Sequence, residues 1–222
     1  MATLEDLHRM EEYLGREMPD LKIAFKDQSW LHLLIGVVLF PFNPNYLTTY
    51  ATTLGSTVYF PSKDSYEKDP TSSMVTLAHE LVHVYDAKHS PFFRLAYLFP
   101  QVLVVIPLVL SLACSSWFLL GLLVAAPWPA KWRVSYELRG YGMNLAFWTW
   151  RKARIPPEYT EEIAQYFVGL DYFHMSWNKA YVRRSLEATR QQAEQGALST
   201  IKPYSIVHDF LKYNGMIPRN DE

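Results

Sequence analysis

The sequence predicts a mostly helical α+β chain with a small antiparallel sheet and an apolar helical hairpin. Three observations carry that expectation. Several long segments repeat apolar residues at helical spacing, residues 48–60 are rich in Thr, Tyr and Val, and residues 95–130 hold no charged side chain. These features divide the chain into an N-terminal unit at 1–94, an apolar insertion at 95–130 and a C-terminal helical unit at 131–222.

Residues 3–18 form an amphipathic pattern, with Leu4, Leu7, Met10 and Leu14 on one face. Residues 21–25 alternate as a short strand. Residues 30–40 are an almost continuous apolar run, too short to span a bilayer and therefore expected as a buried helix or strand. In 48–60, Leu54-Gly55-Ser56 is a turn signal between two strand-forming stretches, which predicts a hairpin. Residues 61–69 are polar and expected as a loop. Asp69 then suits an N-cap and Pro70 a first helical position. Met74, Leu77, Ala78, Leu81, Val82 and Tyr85 make the apolar stripe of the helix that follows. Residues 133–150 read as a second long helix, ended by Ile155-Pro156-Pro157. Three more helices are expected at 160–173, 176–195 and 203–213, with Gly196 stopping the second.

The chain has 222 residues and a formal net charge of −1, which gives no electrostatic case for nucleic acid as a partner. One cysteine, Cys114, excludes an intrachain disulfide framework and fits a reducing compartment. The first residues, Met1-Ala2-Thr3-Leu4-Glu5-Asp6-Leu7, lack the basic start and apolar core of a signal peptide.

The chemistry is concentrated in His79-Glu80-Leu81-Val82-His83. Residues four apart lie one turn apart on the same helix face, so His79 and His83 can offer two imidazole nitrogens to one metal. Glu80, beside the first of them, can reach a water next to the metal rather than the metal itself. A zinc site needs at least one more protein donor. His89 is one candidate, at a spacing that matches the third histidine of metzincins, although Asp86 stands where that family has Gly; Met143 would then be the Met-turn residue. Glu137 is the other. It is the only acid between Asp86 and Glu158 and lies among Val134, Tyr136, Leu138 and Tyr141, where an unpaired carboxylate would be costly to bury. His174, His208 and Glu158 are lesser alternatives.

HExxH on one helix with a glutamate on a later helix resembles the gluzincin metallopeptidases, whose second motif Glu137-Leu138-Arg139-Gly140-Tyr141 approaches, with Gly140 in place of Ala. The resemblance covers roughly residues 48–145. It implies a zincin-like core, Zn²⁺ held by His79, His83 and Glu137, and a zinc endopeptidase acting on a peptide or protein substrate. It also implies Glu80 as general base and Tyr141 or His174 as oxyanion donor, with 56–60 as the edge strand that receives substrate. Asp86, three residues past His83, could orient an imidazole. The apolar insertion is similar to that of membrane-embedded gluzincins.

Glu137 and His83 can share a metal only if residues 95–130 return to the side on which they start, because one crossing would part them by ~30 Å of hydrocarbon. Lys88 and Arg94 before the stretch, and Lys131 and Arg133 after it, favour the cytoplasmic face for both ends. A hairpin turning near 111–116 is therefore expected, lying in lipid or covered by protein or by an oligomer interface. The leading expectation is a membrane-associated zinc peptidase. The alternative is a catalytically inactive zincin-fold component that anchors an assembly.

Overall fold

The computed structural model describes residues 2–40, 43–99, 103, 105–113, 115, 117, 129–152, 155–169 and 174–218. It is a mostly helical α+β structure around a three-stranded mixed sheet. In chain order the elements are α1 (Leu4–Glu17), β1 (Lys22–Phe25), α2 (Trp30–Leu39), β2 (Thr52–Leu54), β3 (Thr57–Phe60), α3 (Lys63–Lys68), α4 (Pro70–His89), α5 (Phe93–Leu98), α6 (Val105–Ala113), α7 (Lys131–Trp150), α8 (Pro157–Val168), α9 (Lys179–Glu194) and α10 (Tyr204–Tyr213).

Local chemistry accounts for the ends of most of these. Thr3 caps α1 in a reciprocal pair with Asp6. The Asp69 side chain accepts from the Ser72 N–H, and Pro70 opens α4 as the sequence indicates. Gly55, at φ +68°, makes the turn between β2 and β3. Gly196, at φ +74°, follows the end of α9.

The sheet order is β1-β3-β2, with β2 antiparallel to β3 but β1 parallel to it. The expected purely antiparallel sheet is thus corrected. β1 reaches β3 through a crossover that carries α2, a connection long enough for parallel pairing. The strand at 56–60 is central, so the edges belong to β1 and β2, and β2 is the one beside the HExxH helix. The expected loop at 61–69 contains α3, whose Ser62 cap pairs reciprocally with Ser65.

The apolar run 30–40 becomes a helix but is not buried. Trp30 is 76% and Val37 72% exposed, with Leu33 and Leu34 also in contact with solvent. Its inner face is made by His32, which is buried and bonded to the Tyr46 hydroxyl, and by Gly36, where a Cβ would stand 2.6 Å from the Leu47 side chain. This face docks the helix, while Trp30, Leu33, Leu34 and Val37 stay on its solvent side.

The main core joins Leu7, Met10 and Leu14 of α1, Val58 and Phe60 of β3, Leu77, Ala78 and Leu81 of α4, Met143 and Phe147 of α7, and Val207 and Phe210 of α10. A second cluster packs Val134 and Leu145 of α7 against Ile163 and Phe167 of α8 and Val182 and Leu186 of α9. α4 lies along α7, and α5 covers part of both. The chain therefore re-enters at Lys131 beside the helix from which it left at His89.

Within 95–130, the structure shows α5 and α6 as short helices. Leu95, Ile106, Val109 and Trp117 are exposed, so these side chains are not buried inside this chain. Among the described residues no helix is long and apolar enough to cross a membrane. Cys114 and most of the expected second arm of the hairpin, at 118–128, lie outside the described residues.

Candidate metal centre

α4 and α7 bring three donors together. His79 and His83 project from the buried side of α4, and Glu137 projects from α7 towards them, all three buried. Glu137 Oε2 lies 3.6 Å from His79 Nε2 and 3.8 Å from His83 Nε2. One ligand atom from each residue falls within 4.8 Å of the others, an arrangement that could hold a metal ion. Three donors at zinc bonding distances of ~2.0–2.1 Å in a tetrahedron are separated by roughly 3.3 Å, so Glu137 Oε2 already stands within about half an ångström of that spacing from each imidazole. The donor set, two imidazoles and a carboxylate, is one that zinc takes.

Electrostatics inside the cluster fit the same use. Burial alone would raise the Glu137 carboxyl, but His79 and His83 hold it well below the usual carboxylate range. Burial disfavours the charged His83 ring, yet the Glu137 carboxylate, with Glu80 and Asp86 behind it, pushes His83 above its ordinary value. The buried Nδ1 of His83 has no hydrogen-bond partner among the described residues.

A cleft of about 500 Å³ opens over the cluster, walled by the 43–53 segment on one side and by Phe93, Tyr97, Arg133 and Tyr141 on the other. Glu80 stands in this cleft beside the cluster. Its Oε2 accepts a 2.7 Å hydrogen bond from the Thr53 hydroxyl on the edge strand β2. Tyr141 lies edge-on to His79, with ring centroids 4.9 Å apart.

The competing ligands are elsewhere. His89 stacks on Tyr85 and its Nδ1 bonds the Tyr85 carbonyl one turn back. His174 bonds the Val168 carbonyl, His208 packs against Trp150, and Glu158 is an exposed residue at the start of α8. Met143 is a core residue of α7. Asp86 makes no hydrogen bond to an imidazole. Its Oδ1 pairs with Arg139 Nη1 at 2.6 Å, bolting α4 to α7 one turn beyond the cluster. Gly140 explains its own identity, because a Cβ there would stand 2.5 Å from His79 Nε2.

Two functional neighbours escape sequence reading. The Tyr97 hydroxyl donates to Glu137 Oε1, and burial together with that carboxylate pushes the phenol well above its ordinary value. Lys26 is fully buried behind the cleft wall, donating to the Tyr46 and Tyr50 carbonyls at 2.8 and 2.7 Å with the Tyr46 ring 3.9 Å away. Burial lowers it to about 8. Tyr97 sits in an uncharged run without local pattern, and nothing in the sequence marks Lys26 as a core residue.

Together these features define a buried two-histidine, one-carboxylate cluster under an open cleft. A family model described as the eCIS core domain matches residues 45–91, which span β2, β3, α3, α4 and the motif His79-Glu80-Leu81-Val82-His83, but not Glu137. No curated protein and no solved structure matches the chain.

Proposed function

We propose that this protein is a zinc-dependent peptidase with a zincin-like site. The observation that carries the reading is the meeting of Glu137 Oε2 with the two Nε2 atoms of the HExxH pair, while Glu80 stays beside them in the cleft. Zn²⁺ held by His79, His83 and Glu137 would supply a Lewis acid that acidifies water and polarises a peptide carbonyl. Glu80 accepts the proton of the attacking water and returns it to the leaving amine as the C–N bond breaks. The Thr53 hydroxyl fixes the Glu80 carboxylate for that transfer. Tyr141, on the cleft wall against His79, is the candidate donor to the carbonyl oxygen as it gains charge. β2, an edge strand that meets Glu80 through Thr53, is where an extended polypeptide would add as a further strand.

The exposed apolar side chains of α5 and α6 support a membrane-associated placement, with the cleft on the cytoplasmic side as the flanking basic residues indicate. The eCIS core match, a domain named for extracellular contractile injection systems, is compatible with a role as an effector-like component of such an assembly. Glu80→Gln separates an active enzyme from an inactive zincin-fold component. The variant should keep zinc and fold while losing hydrolysis of a casein or peptide-library substrate by at least ~100-fold. Equal turnover by variant and wild type would refute the mechanism.

A further inference from the structure

We propose that Tyr97 is the positioning residue for the third metal ligand, selecting which oxygen of Glu137 faces the metal. The inference rests on the metal-centre reading above. A glutamate carboxylate has a broad, nearly two-fold terminal torsion, so nothing intrinsic decides which oxygen it presents. Here the two oxygens have different neighbours. Oε2 faces His79 and His83, whereas Oε1 accepts the hydrogen bond of the Tyr97 hydroxyl. That bond leaves Oε2 directed at the imidazoles and occupies the oxygen that would otherwise rotate in as a second donor. Partners of this kind tune affinity because a ligating carboxylate is held by what bonds its free oxygen.

The Tyr97 ring is itself fixed on several sides. It lies edge-on to His83 at 5.8 Å, beside Phe93 at 5.5 Å, and under the Arg133 guanidinium at 5.2 Å. Replacing the hydroxyl alone therefore leaves the packing in place. Tyr97 belongs to α5, the first helix of the uncharged stretch, while Glu137 lies on α7 beyond that stretch. The metal site is thus complete only when α5 is docked against α7.

The test compares zinc affinity of the full-length wild type, Tyr97→Phe and Tyr136→Phe by equilibrium competition with a chromophoric chelator. Tyr97→Phe should bind zinc ~10- to 100-fold more weakly and change the visible spectrum of the Co²⁺ form, while its metal-free form stays folded. Tyr136→Phe, which also removes one phenol from this aromatic cluster, should match wild type in all three. Wild-type affinity and spectrum in Tyr97→Phe overturn the proposal while leaving the metal centre intact. No zinc uptake by the wild type overturns both. A phenolate-to-metal charge-transfer band in the Cu²⁺-loaded wild type, lost in Tyr97→Phe, overturns positioning in favour of direct ligation.

Discussion

Gly140→Ala is a one-methyl probe of the proposed centre. The added Cβ would lie 2.5 Å from Nε2, 2.7 Å from Cε1 and 2.8 Å from Cδ2 of His79. Ordinary carbon contacts are ~3.5–4.0 Å, so the imidazole must retreat by about 1 Å. Overpacking of this kind costs ~1–3 kcal/mol, while alanine in a helix interior returns about 1 kcal/mol over glycine. The metal-free variant should therefore lie within about 2 kcal/mol of wild type. In the loaded protein the ring cannot retreat without leaving the metal, so the clash falls on binding. At ~1.4 kcal/mol per factor of ten, zinc affinity should drop about 5- to 150-fold. The assay is chelator competition, with urea unfolding of the metal-free forms alongside. Gly15→Ala is the control, since nothing lies within 4 Å of its Cβ position. It should stabilise α1 by roughly 0.5–1 kcal/mol and leave zinc binding unchanged. Wild-type zinc affinity in Gly140→Ala, together with the full helix-propensity gain, would refute the placement of His79 against α7.

Lys26 gives a pH-dependent expectation. Its folded value of about 8 lies below the ordinary 10.5, so between those values the unfolded chain holds the proton that the folded chain has released. Stability from this group therefore rises with pH across that window, by roughly 3 kcal/mol at ~1.4 kcal/mol per unit. The neutral amine keeps two N–H donors for the Tyr46 and Tyr50 carbonyls. Urea unfolding of wild type and Lys26→Met should show the wild type gaining on the variant between pH 7.5 and 10.5; a constant gap contradicts the buried position. Arg139→Met should destabilise by roughly 2 kcal/mol, because it strands the buried Asp86 carboxylate, though less than a fully buried pair because Arg139 is half-exposed. An unfolding midpoint equal to wild type would show that the Asp86–Arg139 pair does not hold α4 to α7.

What could be read from the sequence was local chemistry with a strict pattern. Asp69, Pro70 and the apolar stripe define α4, Gly55 defines the hairpin, and the lone acid among apolar neighbours marks Glu137. What could not be read depends on tertiary partners. Residues 30–40 are apolar on nearly all sides, so their pattern does not say that the His32 and Gly36 side docks while Trp30 and Val37 face solvent. The parallel pairing of β1 with β3 follows from a crossover that neither strand encodes by itself. Tyr97 meets Glu137 across forty residues of sequence. The helix at 63–68 is a different case, because Ser62, Ser65 and Asp64 are cap signals within a segment whose polarity suggests a loop.

The most direct measurement is metal content of purified protein for wild type, Glu137→Ala and His89→Ala, each checked for native fold. His79, His83 and Glu137 as the ligand set predict close to one zinc per chain in wild type and in His89→Ala, and a site emptied or severely weakened in Glu137→Ala. Zinc retained in Glu137→Ala and lost in His89→Ala would contradict the account.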